Sequence, residues 1–104
     1  MEIRYHEEAV KDLDQIEQYI CGTLLNPVAA RRVVQNILRD VMRLADMPYL
    51  GVAFSQKTGY MIDARVLVSG RYWIVYTVSQ EIVILKIWDS RMELKNLLLN
   101  FPMN

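Results

Sequence analysis

Apolar and polar residues recur with two different periods along this 104-residue chain. In the first half, apolar residues return every three or four positions, which places them on one face of a helix. The spacing predicts one helix over about 6–24 and a second from Asn26-Pro27 to Met47-Pro48, joined as an antiparallel hairpin. The apolar stripes are Ala9, Leu13, Ile16, Ile20 and Leu24, then Ala30, Val34, Ile37, Val41 and Leu44, whereas Asp12, Asp14, Glu17 and Gln18 fall largely outside the first stripe.

The second half is rich in β-branched and aromatic residues, which favour strands. It predicts a three-strand meander over Tyr60–Val68, Tyr72–Val78 and Ile82–Trp88, with turns at 69–71 and 79–81. Gly70 suits such a turn because it adopts a positive φ without steric cost. The pattern further predicts a small N-terminal strand within 2–5, a loop over 49–59, and a final helix from Arg91 to about Leu99, capped by Asp89-Ser90.

Together these elements predict an α+β fold, because neither helix can bury its stripe alone and both must pack on the sheet. We expect the hairpin to cover one face of an antiparallel meander, with the N-terminal strand at an edge. Strand alternation places Ile62, Ala64, Val66 and Val68 on one face and Asp63, Arg65 and Leu67 on the other. We expect the helices to cover the first of these faces, so that Arg65 lies on the open side.

Length and composition fit a single domain over residues 1–104 with a substantial core, since 53% of the residues are hydrophobic. The formal net charge is zero, which argues against broad nucleic-acid affinity. Acids dominate up to Glu17, and bases slightly outnumber acids from Lys57 onward. This distribution is compatible with a modest positive patch and also with a mixed, solvated surface.

Cysteine and histidine usage narrows the chemistry further. Cys21 is the only cysteine and His6 the only histidine, so no intrachain disulfide is possible and neither a metal nor a cofactor is expected. The chain contains no apolar run long enough for a signal peptide or a membrane span. We therefore expect a cytoplasmic protein without a membrane association.

Four basic residues are candidates for binding. Arg65, on a predicted strand, could hold a phosphate through bidentate hydrogen bonds, or could pair across the sheet or pack on aromatics such as Trp73. Arg71 in a turn and Lys57 in a loop could contact a ligand or be merely solvated. Arg91 at a predicted helix start opposes the helix dipole, which hints at another use unless a neighbouring carboxylate compensates.

The elements and their motifs, taken in order, resemble the RelE/ParE superfamily of small toxins from bacterial toxin–antitoxin operons. The resemblance covers nearly the whole chain. The matching segments are Ala9-x-x-Asp12-Leu13-x-x-Ile16-x-x-Tyr19-Ile20, Asn26-Pro27-x-Ala29-Ala30, Pro48-x-x-Gly51, Arg65-Val66-Leu67-Val68-Ser69-Gly70-x-Tyr72-x-Ile74-x-Tyr76 and Ile87-Trp88-Asp89-Ser90-Arg91.

The resemblance implies an α+β toxin with a cognate antitoxin from the same operon, in a hetero-oligomer. RelE-like members cleave mRNA in the ribosome, and Lys57, Arg65 and Arg91 could match their phosphate-binding residues by position. However, no Tyr or His follows Tyr76 to act as acid or base, and Asp89 stands where many members carry histidine or glycine.

The hairpin instead looks ParE-like, of the plasmid stabilisation type, which implies a gyrase inhibitor with Arg65, Arg71 and Arg91 as target-binding residues. Two alternatives remain open: an mRNA interferase, and a non-toxic member that only binds its partner.

Overall fold

The computed structural model describes residues 1–102 as one sheet with helices on both faces. The strands are β1 (Ile3–Tyr5), β2 (Val52–Ala53), β3 (Arg65–Ser69), β4 (Tyr72–Val78) and β5 (Ile82–Asp89). The helices are α1 (Glu7–Gln18), α2 (Pro27–Arg43), α3 (Phe54–Thr58) and α4 (Leu94–Leu99), and a π-helical turn, Tyr19–Thr23, follows α1. No helix among residues 1–102 is long and apolar enough to cross a membrane.

The strand order in the sheet is β1-β5-β4-β3-β2. Strands β3, β4 and β5 form the predicted antiparallel meander, and β1 joins the edge of β5 in a parallel direction. The register of β4 against β5 shifts between Val75 and Tyr76, a bulge of the kind that bends and twists a strand. The α+β fold, the meander and the edge position of the N-terminal strand are confirmed.

Both helices of the hairpin begin as their sequences predict. His6 caps α1 by accepting a hydrogen bond from the Glu8 amide at 3.1 Å. Asn26 caps α2 by accepting one from the Ala29 amide at 3.0 Å, with Pro27 in the first helical position. The caps satisfy amides that a helix start leaves unpaired, so they fix where each helix begins.

The hairpin covers the face of the sheet opposite to the one we predicted. Leu67 of β3 belongs to the core that α1 and α2 form with the sheet, whereas Ala64 and Val66 belong to a second core on the other face. Arg65 shares the face of Leu67 because alternate residues of a strand point the same way. The predictions that the helices face Val66 and that Arg65 lies on the open side are therefore wrong.

The second face is also covered, which explains the error. Phe54 of α3 and Leu97 of α4 are fully buried against it. Since apolar residues line both faces, alternation identifies which residues share a face but not which face the hairpin occupies. The core on the hairpin side is Ala9, Ile37, Val41, Leu44, Leu67, Tyr72, Ile74, Tyr76, Ile82, Ile84 and Ile87; the other core is Phe54, Ala64, Val66, Val75, Val83, Leu85 and Leu97.

Four predicted boundaries are also wrong. The second helix ends at Arg43 rather than at Met47-Pro48. The predicted loop over 49–59 contains β2 and α3, and the first meander strand begins at Arg65 rather than Tyr60. The final helix begins at Leu94, because the Asp89 carboxylate accepts a hydrogen bond from the Arg91 amide in a turn instead of capping a helix.

Asp12 is a buried polar residue that the stripe of α1 was expected to exclude. Its carboxylate accepts hydrogen bonds from Lys86 Nζ and from the Ile87 amide, both at 2.9 Å, and joins α1 to β5. Burial raises the pKa of Asp12, and the two hydrogen bonds oppose that rise. Removing either partner of such a buried pair leaves the other charge uncompensated.

Candidate partner-binding surface

Arg65 holds the segment that connects α2 to β2. Its Nη2 donates to the carbonyl oxygen of Gly51 at 2.6 Å and to that of Tyr49 at 3.3 Å, and its guanidinium lies 5.2 Å from the centre of the Tyr49 ring. Its Nε is buried and has no acceptor among residues 1–102. The guanidinium thus serves mainly to hold the backbone.

Tyr76 fixes the same segment from the sheet. Its hydroxyl, on a fully buried side chain, donates to the Pro48 carbonyl at 2.8 Å and accepts from the Gly51 amide at 3.0 Å. A Cβ on Gly51 would lie 2.5 Å from the Val66 carbonyl oxygen and 2.9 Å from the Tyr76 hydroxyl. The Pro48-x-x-Gly51 motif therefore allows a backbone approach that no larger residue permits.

This clamped segment, residues 48–51, positions one edge of the sheet. Directly after it, β2 pairs with only Val66 and Arg65, so on that side no strand among residues 1–102 pairs with 67–69 of β3. Val52 and Val68 beside this edge are 41% and 49% exposed. An unpaired strand edge flanked by apolar side chains is a surface on which another chain can add a strand.

A groove of about 1070 Å³ lies near Arg65 and the start of β3. Its wall includes polar groups from Asp63, Ser79 and Arg65. Apolar residues dominate the rest, among them Met61, Ile62, Leu85, Leu98 and Phe101. Such a concave, largely apolar surface suits a peptide or helix that presents apolar anchors.

Lys57 lies on the face opposite to Arg65. It extends from α3, and its Nζ is 5.5 Å from the centre of the Trp73 ring, a cation–π contact that holds the ammonium over the sheet. Trp73 packs against the core of that second face.

Arg71 and Arg91 lie at the same end of the sheet. Ser90 connects them, because its amide and hydroxyl donate to the Arg71 carbonyl at 2.9 and 2.7 Å. Arg91 also makes a bidentate contact with Asp89, at 3.1 and 2.8 Å. The hydrogen bonds from Arg91 lower the pKa of Asp89. Because α4 begins at Leu94, Arg91 lies outside the helix, and the unfavourable dipole interaction we anticipated for it does not arise.

The four candidate residues do not form one cluster. Arg71 and Arg91 share an end of the sheet, whereas Arg65 opposes Tyr76 in the register, four residues further along β4 than Tyr72. Lys57 and Arg65 are on different faces. Phosphate cleavage requires charges that converge on one phosphoryl group, and the three residues expected for it are dispersed here. Among residues 1–102, no group of His, Cys, Asp or Glu could hold a metal ion.

The Tyr76 hydroxyl and the Asp12–Lys86 pair were missed by sequence reasoning. Tyr76 lies within a predicted strand, and nothing in its neighbourhood signals that its hydroxyl binds backbone 25 residues away. The sequence did contain a signal for Asp12. It follows Ala9 by three residues and precedes Ile16 by four, which places it on the apolar face of the helix.

The mixed five-stranded sheet with a helical hairpin on one face agrees with the α+β fold that the sequence resemblance implies. A family model described as "ParE toxin of type II toxin-antitoxin system, parDE" matches residues 3–94. The chain therefore belongs to the ParE toxin family.

A solved structure supports the same assignment. The chain is similar to one titled "Chromosomal ParDE TA system from P. aeruginosa", with a TM-score of 0.72 and 25% identity over 86% of this chain and 95% of that one. Among curated proteins, none matches the chain significantly.

Proposed function

We propose that this chain is the toxin of a type II toxin–antitoxin pair, that it arrests growth by binding a protein target of the DNA gyrase class, and that a cognate antitoxin neutralises it in a hetero-oligomer. The membership in the ParE family carries this proposal. The location follows from the target, since gyrase and its DNA lie in the cytoplasm.

The dispersed basic residues favour binding over catalysis. Arg65 is occupied by two backbone carbonyls and Arg91 by Asp89, so neither is free to clamp a phosphate without first leaving its partner. The ribosome-dependent ribonuclease is therefore the weaker alternative, and it retains Lys57, Arg65 and Arg91 as its candidate residues.

Arg71 and Arg91 form the better candidate for contact with the target. Both are exposed, and the hydrogen bonds from Ser90 to the Arg71 carbonyl hold the two chain segments together. Arginine is enriched at binding hot spots because its planar guanidinium pairs with carboxylates and stacks on aromatics.

The antitoxin is proposed to occupy the open edge of β3 and the neighbouring groove. A tail that is disordered when free would add a strand beside 67–69 and place apolar anchors against Leu85 and Leu98. Because these walls are largely apolar and the chain is neutral, its affinity should depend only weakly on salt. A collapse of affinity at high ionic strength would show instead that charge holds the tail.

Induced expression with and without the neighbouring open reading frame tests the proposed function. Growth arrest that the neighbour relieves supports a toxin–antitoxin pair, and unimpaired growth at high toxin level contradicts toxicity. A supercoiling assay with purified gyrase, alongside primer extension on cellular mRNA, then separates the gyrase target from the ribonuclease alternative.

Variants locate the target surface in the same assays. Arg71→Ala and Arg91→Ala should each reduce gyrase inhibition while antitoxin binding persists. Lys95→Ala is the matched control, because Lys95 is also exposed and paired with a neighbouring acid, Glu93, at 3.3 Å. Equal effects of all three substitutions would contradict a specific role for the Arg71–Arg91 end of the sheet.

A further inference from the structure

Several large apolar side chains are exposed to solvent at the tip of the helical hairpin. We define the tip as the residues from the π-helical turn to the first turn of α2. Within it Tyr19, Leu24, Leu25 and Val28 are all more than half exposed, and Leu25 reaches 81%. Isolated apolar side chains on a surface are ordinary, but a contiguous group at one turn indicates an interaction site.

Leu25 is also held in an unusual backbone conformation. Its φ is +53°, and it is the only non-glycine residue with a positive φ within 1–102. A left-handed conformation is unfavourable for a leucine, since its Cβ approaches the carbonyl oxygen. The turn therefore holds Leu25 in an uncommon conformation with its large apolar side chain mostly in water.

A crevice of about 470 Å³ opens at the same hairpin tip. It lies between the π-helical turn and α2, and Gly22, Pro27 and Ala30 contribute to its wall. A Cβ built on Gly22 would meet no atom within 4 Å, so the space beside it is open. Leu25 lies between Gly22 and Pro27 in the chain, so the protruding leucine and the crevice belong to the same hairpin tip.

The charges along this crevice are self-complementary. Glu17 and Arg31 both line it and both are exposed. Neither takes part in an ion pair among the described residues. An interface with two-fold symmetry places the same patch on both sides, so that residue i meets j and j meets i. A two-fold arrangement can therefore pair Glu17 of each copy with Arg31 of the other.

We propose that the hairpin tip is a homodimer interface, in which Leu25 of each copy enters the crevice of the other. The zero net charge of the chain adds no general repulsion between copies. This inference does not depend on the toxin function and concerns a surface distinct from the β3 edge.

Sedimentation equilibrium of the full-length chain over a range of concentrations tests the proposal. The wild type should form a dimer in a concentration-dependent manner. Leu25→Asp should raise the dimer dissociation constant by at least about tenfold, since it removes a buried leucine from both halves of the interface. Aspartate tolerates the left-handed conformation, so this variant should fold.

Leu99→Asp is the matched control, because Leu99 on α4 is 80% exposed, as exposed as Leu25. It should leave the dissociation constant within about twofold, as expected for a surface change away from an interface. An equal effect of both variants would mean that general hydrophobicity drives association, and would overturn the proposal.

A charge exchange provides a readout that misfolding cannot imitate. Glu17→Arg and Arg31→Glu should each weaken the dimer, and the double variant should restore it. Cys21 also lines the crevice and is the only cysteine, so a short bis-maleimide should link two copies of the wild type but not of Leu25→Asp. A monomer at every concentration, or a dimer that neither Leu25→Asp nor the charge exchange affects, would overturn the assignment.

Discussion

Removing the Tyr76 hydroxyl should destabilise the protein more than removing a hydroxyl from an exposed tyrosine. In Tyr76→Phe the ring still fills its site, but the Pro48 carbonyl and the Gly51 amide lose the partner that lies 2.8 and 3.0 Å away. Each hydrogen bond contributes about 0.5–1.5 kcal/mol net, and a buried donor left unpaired costs about 1–3 kcal/mol.

The expected loss is therefore about 2–3 kcal/mol in the free energy of unfolding. For a domain of this size, that corresponds to a fall of about 10–15 °C in melting temperature. Urea denaturation followed by tryptophan fluorescence measures the first quantity and calorimetry the second. Tyr60→Phe is the control, because Tyr60 is half exposed and its loss should stay within about 0.5 kcal/mol.

Coupling between Tyr76 and Arg65 provides the sharper test, because both hold Gly51, one through its amide and the other through its carbonyl. In a double-mutant cycle, Tyr76→Phe and Arg65→Ala should differ from additivity by about 0.5–3 kcal/mol, as residues in one network do. A loss below about 0.5 kcal/mol for Tyr76→Phe, or additivity of the two changes, would refute a shared clamp.

Three further changes follow from the same contacts. Gly51→Ala should cost about 1–3 kcal/mol in unfolding free energy, because its Cβ would meet backbone. Lys86→Met should lower the free energy of unfolding by about 3–5 kcal/mol at neutral pH. In this variant, stability should also fall as pH rises above about 4. Burial already raises the pKa of Asp12, so without Lys86 the native state binds more protons than the unfolded state in that range. NMR titration should find the pKa of Asp89 below its usual value, and Arg91→Gln should raise that pKa. The ionised Asp89 carboxylate, paired with Arg91, contributes stability that is present above about pH 4 and is lost as the pH falls below it.

The sequence predicted the elements of this fold because their periods are strong and local. The stripes from Ala9 to Ile20 and from Ala30 to Leu44 require a hairpin, and the turn residues around Gly70 separate two strands. These signals depend on neighbours in the chain, so a single sequence carries them. The motif order added the family, which the match over residues 3–94 confirms.

The choice of face depended on contacts distant in sequence and could not be predicted in the same way. Val66 and Leu67 are both apolar and both buried, so alternation left two arrangements possible. The clamp on Gly51 and the packing of Phe54 against the second face distinguish these two arrangements. Both are contacts between segments that are distant in the sequence. The hydrogen-bond partners of Arg65 could not be predicted for the same reason, because they are backbone carbonyls of a distant segment rather than side chains.

The position of Arg65 changes how its substitution in this chain must be interpreted. Loss of toxicity in Arg65→Ala would ordinarily suggest a lost phosphate or target contact. Here the same substitution releases the carbonyls of Tyr49 and Gly51, which loosens the segment that positions the open edge of β3. Arg65→Lys separates the two effects, because lysine keeps the charge but lacks the planar fork that spans two acceptors. If charge at a target is what matters, Arg65→Lys should retain toxicity at wild-type stability; if the clamp matters, toxicity, antitoxin affinity and melting temperature should fall together in both variants.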